Sequence, residues 1–159
     1  MRHEKWHRHF GVYGICARDD TLLVVNKTAG PYRNRYDLPG GTIEPNETIE
    51  QALFREFREE TGLEIMDYRP LGFSEFIVRY DLRDNTHIQH IPLFFRVECG
   101  ERSESLRNVS DDSNGSVWVR LDDLHENNSS LLVLKAKATI LNSEFTYESR
   151  KLDCWTTIR

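Results

Sequence analysis

The sequence predicts an α+β fold or a mixed α/β/α layered fold. β-forming segments come before, between and after two helical segments, and no linker, repeat or low-complexity tract divides the chain. The 159 residues are 38% hydrophobic, which is enough for one core. We therefore expect a single domain over residues 1–159, with its core at about residues 9–141 and a C-terminal tail at residues 142–159.

The first elements are two strands, a loop and a glycine turn. Residues 9–17 and 21–26 are rich in β-forming side chains, and the polar residues between them are typical of a turn. Residues 28–35 contain Gly, Pro and Asn and predict a loop. Pro39-Gly40-Gly41 follows, and its glycines permit backbone conformations that a Cβ atom would forbid.

The next element is an amphipathic helix. Asn46 is its expected N-cap, because an Asn side chain can accept a hydrogen bond from a free amide of the first turn. Gly62 is expected just past its end, in the left-handed conformation. Apolar residues at helical spacing predict a buried stripe of Ile49, Ala52, Leu53 and Phe57.

A hairpin and one more strand are predicted after this helix. Residues 71–82 and 87–98 are two β-like runs, and Asp84-Asn85 supplies turn residues between them. Residues 116–121 predict the further strand.

The last predicted element is a helix over residues 131–141, capped by Ser129 or Ser130. The tail beyond it has no clear pattern. We expect it to pack against the domain because it carries three aromatic residues, Phe145, Tyr147 and Trp155.

Composition excludes several classes of protein. The longest apolar runs have four or five residues, whereas a membrane-spanning helix needs about 20. The three cysteines, Cys16, Cys99 and Cys154, are far apart and form no CxxC pair, which argues against a disulfide framework and a cysteine zinc site. We expect a cytoplasmic protein that does not interact with membranes.

Negative charge is concentrated in one short segment. The net charge is −5, and residues 41–63 alone carry −4. An acidic chain does not favour electrostatic binding to nucleic acid. The excess negative charge of the chain therefore lies on and beside the first predicted helix.

Carboxylates cluster on the polar face of that helix. Glu56 and Glu60 are one turn apart, and Glu59 lies beside them. Like charges at this spacing destabilise a helix, and its dipole disfavours anions near the C-terminal end. The cluster therefore indicates either a solvated acidic face or a bound cation, and such oxygens suit Mg²⁺. Arg55, one turn before Glu59, can hold a carboxylate in a two-pronged grip.

The acidic helix belongs to a longer pattern of fixed residues. It reads Gly41-TIEPN-Glu47-TIEQALF-Arg55-Glu56-Phe57-Arg58-Glu59-Glu60-Thr61-Gly62-Leu63. This segment resembles the Nudix box, and every defined position of that signature matches. Residues 36–40 and 118–124 also resemble the flanks of the family, so that the likeness covers about residues 9–141.

The resemblance implies a MutT-like Nudix hydrolase with an α/β/α sandwich and a mixed, curved sheet between helices. Such an enzyme cleaves a pyrophosphate bond in a nucleoside diphosphate linked to another moiety, by attack of water on phosphorus. Glu56, Glu59 and Glu60 would bind Mg²⁺ or Mn²⁺ together with the backbone carbonyl of Gly40. Arg55 would orient a glutamate, and Glu47 would support the site.

The resemblance leaves the general base open. Glu56 or Glu59 could accept the proton of the attacking water, and so could an acid outside the box. Asp111, Asp112 and Glu98 are the candidates there, since no Glu lies close to Trp118.

The substrate has few signals in the sequence. Arg33 and Arg35 precede the box and could contact phosphates, although surface solubility is the alternative. Tyr80 resembles a position used in diadenosine polyphosphate hydrolases, and packing in a strand is its alternative. His3, His7 and His9 could be solvated, or a strand could bring His9 near the pocket.

Three other functions stay open beside hydrolysis of a small nucleotide substrate. One is a non-catalytic module that senses or binds nucleotides. The others are hydrolysis of diadenosine polyphosphates and of a triphosphorylated RNA 5′ end, the latter weakened by the acidic charge. A homodimer is a further expectation, to which the C-terminal tail could contribute.

Overall fold

The computed structural model of the chain describes residues 3–82, 85–100 and 113–158. These residues form strands and two α-helices in the order β1 (Trp6–Ile15), β2 (Ala17–Arg18), β3 (Thr21–Lys27), β4 (Tyr36–Asp37), β5 (Gly40–Thr42), α1 (Ile49–Thr61), β6 (Ile65–Phe73), β7 (Glu75–Leu82), β8 (Asn85–Cys99), β9 (Ser113–Arg120), α2 (Leu131–Asn142) and β10 (Ser149–Leu152). A single 3₁₀ turn at Leu121–Asp123 follows β9.

The larger sheet is built around the 15-residue strand β8. Strand β1 runs parallel to it along one edge. Strands β7 and β6 pair with successive halves of its other edge, both antiparallel. Strand β10 adds to β7 in parallel, and β5 adds to β1 in antiparallel orientation. The sheet is therefore mixed, as the resemblance implies.

A second, antiparallel sheet is centred on β3, which pairs with β2, β4 and β9. Alternate residues of its central strand enter different cores. Leu22 and Val24 belong to one cluster of buried side chains, and Leu23 belongs to the other. The period of two along a strand causes this division, because successive side chains point to opposite faces.

Each helix covers one of these two cores. Helix α1 buries Leu53 and Phe57 against one of them. Helix α2 buries Leu132 and Val133 in the other. The result is the mixed α+β architecture with helices on both sides that the resemblance implies.

The start of α1 differs from the prediction. Thr48 is its N-cap: the Thr48 Oγ1 accepts a hydrogen bond of 3.1 Å from the Gln51 amide, and the Gln51 side chain accepts one of 2.9 Å from the Thr48 amide. Asn46 instead adopts a left-handed conformation in the preceding turn, with φ of 62°. The prediction of Asn46 as the cap is therefore wrong, because the reciprocal Thr48–Gln51 capping box begins the helix two residues later.

The end of α1 lies where the sequence predicts it, whereas one residue of the predicted apolar stripe is not buried. Gly62 is left-handed with φ of 71°, and its amide donates to the Arg58 carbonyl at 2.8 Å. Ala52, Leu53 and Phe57 are fully buried. Ile49, in the first turn of the helix, is 37% exposed and belongs to neither of the two clusters of buried side chains.

The predicted strand at residues 71–82 is two strands. It breaks at the buried Ser74, because β6 pairs with the second half of β8 and β7 with the first half. In addition, β6 already begins at Ile65. Asn85 begins β8 rather than a turn, and Asp84 lies outside the described residues.

Helix α2 and the tail agree with the sequence. The Ser130 Oγ accepts a hydrogen bond from the Val133 amide at 3.2 Å and so caps the helix. Phe145 packs on Phe94, and the Trp155 indole N–H donates to the Pro31 carbonyl at 2.7 Å. The aromatic residues thus tie the tail to the rest of the molecule. Neither described helix has the length and apolar character needed to cross a bilayer.

Candidate active site

Helix α1 lays its carboxylate face against the glycine turn, in which Pro39 leads into Gly40 and Gly41 at the start of β5. Gly40 has φ of 152°, and a Cβ atom there would lie 2.1 Å from the Val12 carbonyl oxygen. The backbone can approach β1 this closely only because residue 40 has no side chain. This approach points the Gly40 amide at α1, where it donates to the Glu60 Oε2 at 3.0 Å.

Gly41 makes room for a second carboxylate. A Cβ atom at this position would lie 2.8 to 2.9 Å from the carboxyl atoms of Glu56. The missing side chain therefore forms a cradle that the Glu56 carboxylate fills. Two adjacent glycines in this way bring Glu56 and Glu60 against one short stretch of backbone.

Arg55 is the centre of the ion-pair network. Its guanidinium grips Glu47 with two hydrogen bonds, from Nε at 2.7 Å and from Nη2 at 2.9 Å. Its Nη1 donates to Glu56 at 2.9 Å and to Glu59 at 3.3 Å. Its Nη2 also donates to the Thr42 carbonyl at 3.0 Å. A fork of five N–H donors is suited to such shared contacts.

The network changes the acidity of its members. The hydrogen bonds from Arg55, and to a lesser extent the Glu44 amide, lower the pKa of Glu47 to about 2. The same bonds raise the pKa of Arg55 above its ordinary value. Glu47 is therefore a carboxylate at neutral pH and holds the guanidinium in place.

The three glutamates near the end of α1 differ in exposure. Glu60 is 1% exposed, the Glu56 side chain is 15% exposed and the Glu59 side chain is 53% exposed. The exposure of these side chains therefore rises from Glu60, which lies against the glycine turn, through Glu56 to Glu59. A water molecule or a substrate arriving from solvent would meet Glu59 first.

The carboxylate oxygens of these glutamates suit a hard divalent cation, although some of them also accept hydrogen bonds from Arg55 in the structure. Carboxylate and carbonyl oxygens are the ligands that Mg²⁺ prefers. Within the described parts of the chain, no three His, Cys, Asp or Glu side chains converge on one point that would hold a metal ion. In the structure, the Arg55 guanidinium binds one oxygen of Glu56 and one oxygen of Glu59.

The contacts that the structure describes for the candidate substrate-binding residues lie outside this network. Arg33 is exposed in the loop before β4. Arg35 is 6% exposed: it donates to the carbonyls of Glu126 and Thr156, and its guanidinium lies 4.6 Å from the Trp155 ring centre. Tyr80 is buried in the core that α2 covers.

Of the three acids considered outside the box, only Glu98 belongs to the residues that the structure describes. Glu98 is exposed near the end of β8, opposite Asp67 of β6. Asp111 and Asp112 lie outside the described residues. His3 and His7 are exposed, and β1 carries His9 into a pocket.

That pocket has a volume of about 250 Å³ and adjoins the glycine turn. Tyr13 connects the two, because it lines the pocket and is paired with Gly40 across β1 and β5. Burial, the nearby Asp37 and Tyr32, and then the charges of Glu60 and Glu56 raise the pKa of Tyr13 well above its usual range. Tyr13 therefore lies within the electrostatic field of the carboxylate cluster.

The pocket wall contains buried polar atoms without a partner in the described structure. The Tyr13 hydroxyl bridges His9 Nε2 at 3.1 Å and His90 Nε2 at 3.0 Å. The His90 Nδ1 and the Tyr32 Oη are buried and make no hydrogen bond there. Burial, and then His9 and Lys27, lower the pKa of His90 well below its usual range. His90 is thus a neutral imidazole at pH 7.

Sequence reasoning did not identify this pocket. Its walls come from β1, β3, the loop before β4, β4 and β8: His9, Tyr13, Lys27, Ala29, Gly30, Pro31, Tyr32, Asp37, Ile88 and His90. No local spacing joins such distant residues.

A larger cavity of about 480 Å³ opens between β6, β8 and the end of α2, and none of the box residues lines it.

Comparison with known proteins agrees with the fold and the box. A family model described as NUDIX domain matches residues 5–139. In the solved crystal structures, a mutator MutT protein from Bacillus halodurans has a TM-score of 0.68, with 18% identity over 95% of each chain. The mixed sheet with two helices is therefore the fold of known Nudix structures.

Curated relatives match shorter stretches. An ADP-ribose pyrophosphatase from Methanocaldococcus jannaschii is 40% identical over 57 residues, which cover 36% of this chain and 34% of the relative. An uncharacterized Nudix hydrolase from Bacillus subtilis, YvcI, is 30% identical over 111 residues, 69% of this chain and 65% of the relative. An RNA pyrophosphohydrolase from Hydrogenovibrio crunogenus is 45% identical over 67 residues, 38% of this chain and 41% of the relative.

The chain therefore spans between about a third and two thirds of the length of these relatives. The family model, in contrast, matches most of the chain. Together with the intact box and the fold, this match shows that the chain belongs to the Nudix hydrolase family.

Proposed function

We propose that the chain hydrolyses a pyrophosphate bond in a nucleoside diphosphate linked to a further group, with water attacking phosphorus. The observation that carries the proposal is the Arg55 network, in which one guanidinium contacts Glu47, Glu56 and Glu59 beside the glycine turn. A solvated acidic face would not need a buried Glu60 bonded to backbone. The arrangement supports a site organised for chemistry.

We propose Mg²⁺ or Mn²⁺ as the cofactor of this site. Glu56, Glu59, Glu60 and the Gly40 carbonyl would hold it, and the Glu56 cradle at Gly41 and the oxygen donors fit such a cation. A divalent cation there would neutralise phosphate charge and polarise the phosphorus.

The side chains of the network have separate roles in this proposal. Arg55 is a positioning residue that fixes the direction of Glu56 and Glu59. Glu47 holds Arg55 in turn. Glu59, the most exposed of the cluster, or Glu56 accepts the proton of the attacking water.

The pocket beside Tyr13 is our candidate for the part of the substrate beyond the phosphates. The unpartnered His90 Nδ1 and Tyr32 Oη offer hydrogen-bonding atoms to a polar planar group such as a nucleobase. Arg33, which is exposed, is retained as a phosphate contact. The buried contacts of Arg35 and Tyr80 favour positioning and packing roles for those two residues.

The substrate class is proposed in general terms. One relative is named as an ADP-ribose pyrophosphatase and another as an RNA pyrophosphohydrolase, and both names fit cleavage of a pyrophosphate bond. The acidic charge of the chain favours a small nucleotide over an RNA end. Diadenosine polyphosphates are the remaining alternative.

A product-resolved hydrolysis panel tests the proposal. It contains nucleoside triphosphates, ADP-ribose, sugar nucleotides, diadenosine polyphosphates and triphosphorylated RNA, each with Mg²⁺, with Mn²⁺ and with chelator. We expect cation-dependent cleavage that falls about 100-fold or more in Glu59→Gln, because Glu59 is both a proposed cation ligand and one of the two candidates for the general base.

Glu50→Gln is the matched control for this panel. Glu50 is an exposed glutamate of the first turn of the same helix, so the control makes the same chemical change away from the cluster. It should retain activity. Activity that survives in Glu59→Gln, or binding of nucleotides without turnover by folded protein, would contradict the proposal.

A cytoplasmic location and a homodimer belong to the same proposal. Light scattering of the purified chain measures its mass in solution. A monomer at micromolar concentration would contradict the dimer and leave the hydrolytic proposal unchanged.

A further inference from the structure

Two cysteines that are 83 residues apart in sequence meet in the fold. The Cys16 Sγ lies 3.0 Å from the Cys99 Sγ. Cys16 directly follows β1, and Cys99 ends β8, so the parallel pairing of these strands brings the two thiols together. A disulfide bond would require the sulfur atoms to approach by only about 1 Å more.

The environments of the two thiols differ. Cys16 is 2% exposed and belongs to the core under α1. Cys99 is partly exposed. Reagents from solvent can therefore reach Cys99, whereas Cys16 is almost completely shielded from solvent. This is the usual division between an attacking cysteine and a resolving cysteine.

Arg18 places a positive charge beside the exposed thiol. Its Nη2 lies 3.7 Å from the Cys99 Sγ and donates to the Cys99 carbonyl at 2.8 Å. The guanidinium is held over the Trp118 ring, 4.9 Å from its centre. The hydrogen bond with Cys16, followed by the Arg18 charge, lowers the pKa of Cys99 to about 7, against the opposing effect of burial.

We propose that Cys16 and Cys99 form a reversible disulfide by exchange with a low-molecular-weight disulfide. The proposed hydrolytic site does not use these residues, so the inference goes beyond that function. Cys154, the third cysteine, is exposed and takes no part.

The reaction has two exchange steps. The Cys99 thiolate attacks one sulfur of the small disulfide, which breaks its S–S bond, forms a mixed disulfide and releases one small thiolate. Cys16 then loses its proton to a released thiolate and attacks the Cys99 Sγ, which displaces the second small thiolate. The two protein thiols lose two electrons, and the small disulfide is reduced to two thiols.

The crosslink would stabilise the fold. It would close a long loop between the ends of β1 and β8, which lowers the conformational entropy of the unfolded chain. Both strands contribute side chains to the core on which α1 rests, including Val12, Phe95 and Val97. We therefore expect the oxidised protein to melt at a higher temperature by several degrees.

Oxidised glutathione is the probe for the test. The reduced full chain is equilibrated at increasing ratios of oxidised to reduced glutathione and then alkylated, and alkylated thiols are counted by intact mass. We expect the count to fall from three to one in a single step. Peptide mapping should show a Cys16–Cys99 link, and a thiol reductant should reverse both the link and the shift in melting temperature.

Single variants separate this mechanism from unspecific oxidation. Cys154→Ser should still lose two thiols together. Cys16→Ser should retain glutathione on Cys99, because the resolving thiol is absent, and Cys16→Ala is the substitute if that variant does not fold. Arg18→Gln should slow the reaction of Cys99 with oxidised glutathione several-fold.

Two results would overturn the proposal. One is a wild-type protein that retains glutathione on Cys99 while Cys16 stays reduced. The other is loss of the oxidised species in Cys154→Ser, which would place the bond at Cys154.

Discussion

Arg55 shows how one side chain can organise several others. Its guanidinium contacts Glu47, Glu56 and Glu59 and a backbone carbonyl at the same time. The planar fork makes this possible, whereas a lysine ammonium would have to choose among these partners. The orientation of the carboxylates in the cluster therefore depends on Arg55, which need not touch the substrate.

The depressed pKa of Glu47 leads to a prediction about acid stability. Because Arg55 lowers this pKa from 4.5 to about 2, the interaction stabilises the fold fully above about pH 4.5 and is lost as the pH falls toward 2. Melting temperatures of the wild type and Glu47→Gln, measured from pH 7 to pH 2, should therefore differ most at neutral pH and converge in acid.

The Arg55→Gln background supplies the control for this measurement. Without the guanidinium, the effect of Glu47→Gln on the melting temperature should depend much less on pH, because only the hydrogen bond from the Glu44 amide still lowers the pKa of Glu47. A difference between wild type and Glu47→Gln that stays constant down to pH 2 would contradict the assigned role of the pair.

At the scale of the element, the N-terminus of α1 is set by its capping box. Thr48→Ala removes the side-chain oxygen that accepts the Gln51 amide. The free energy of unfolding should fall by about 1 kcal/mol, the usual cost of losing a threonine cap. Urea unfolding measures this change, and Thr48→Ser should retain most of the stability because it keeps the hydroxyl.

Local signals in the sequence were sufficient for several elements. Gly62 marks the end of α1, the pair Ser129-Ser130 marks the start of α2, where Ser130 is the cap, and the spacing of Arg55 and the glutamates gives the polar face of α1. Each of these depends on residues within a few positions of one another. The predicted N-cap is wrong because it depends only on the capping preference of Asn46, whereas Thr48 is followed three residues later by Gln51, the sequence signature of a capping box.

Elements defined by distant partners were not predictable in the same way. The β-forming pattern continues across Ser74, yet the strand breaks there because the two halves pair with different parts of β8. The Tyr13 pocket and the Cys16–Cys99 contact likewise join residues from strands far apart in sequence. Such contacts follow from sheet topology, which no local spacing encodes.

At the scale of the molecule, the C-terminal tail is part of the packed structure. Phe145 packs on Phe94, lies near the buried Lys135 and occupies the space beside Gly72. Phe145→Ala should lower the free energy of unfolding by about 2 kcal/mol, since the side chain is partly buried. Chemical denaturation measures this loss.

Tyr147→Ala is the matched aromatic truncation in the same tail. Tyr147 is 61% exposed and touches mainly Phe73, so its removal should cost less than about 1 kcal/mol. Equal effects of the two truncations would show that the tail does not contribute to the core through Phe145.

The pairing of strands also determines when the sheet can form during synthesis. Strand β1 is made first, but its partner β8 ends at Cys99, and β7 receives its outer neighbour only when Ser149–Leu152 has been translated. Ribosomes add about 5–20 residues per second, so the N-terminal strand waits several seconds for its partner. The nascent chain must therefore keep an unpaired, β-prone edge soluble until Ser149–Leu152 has been made.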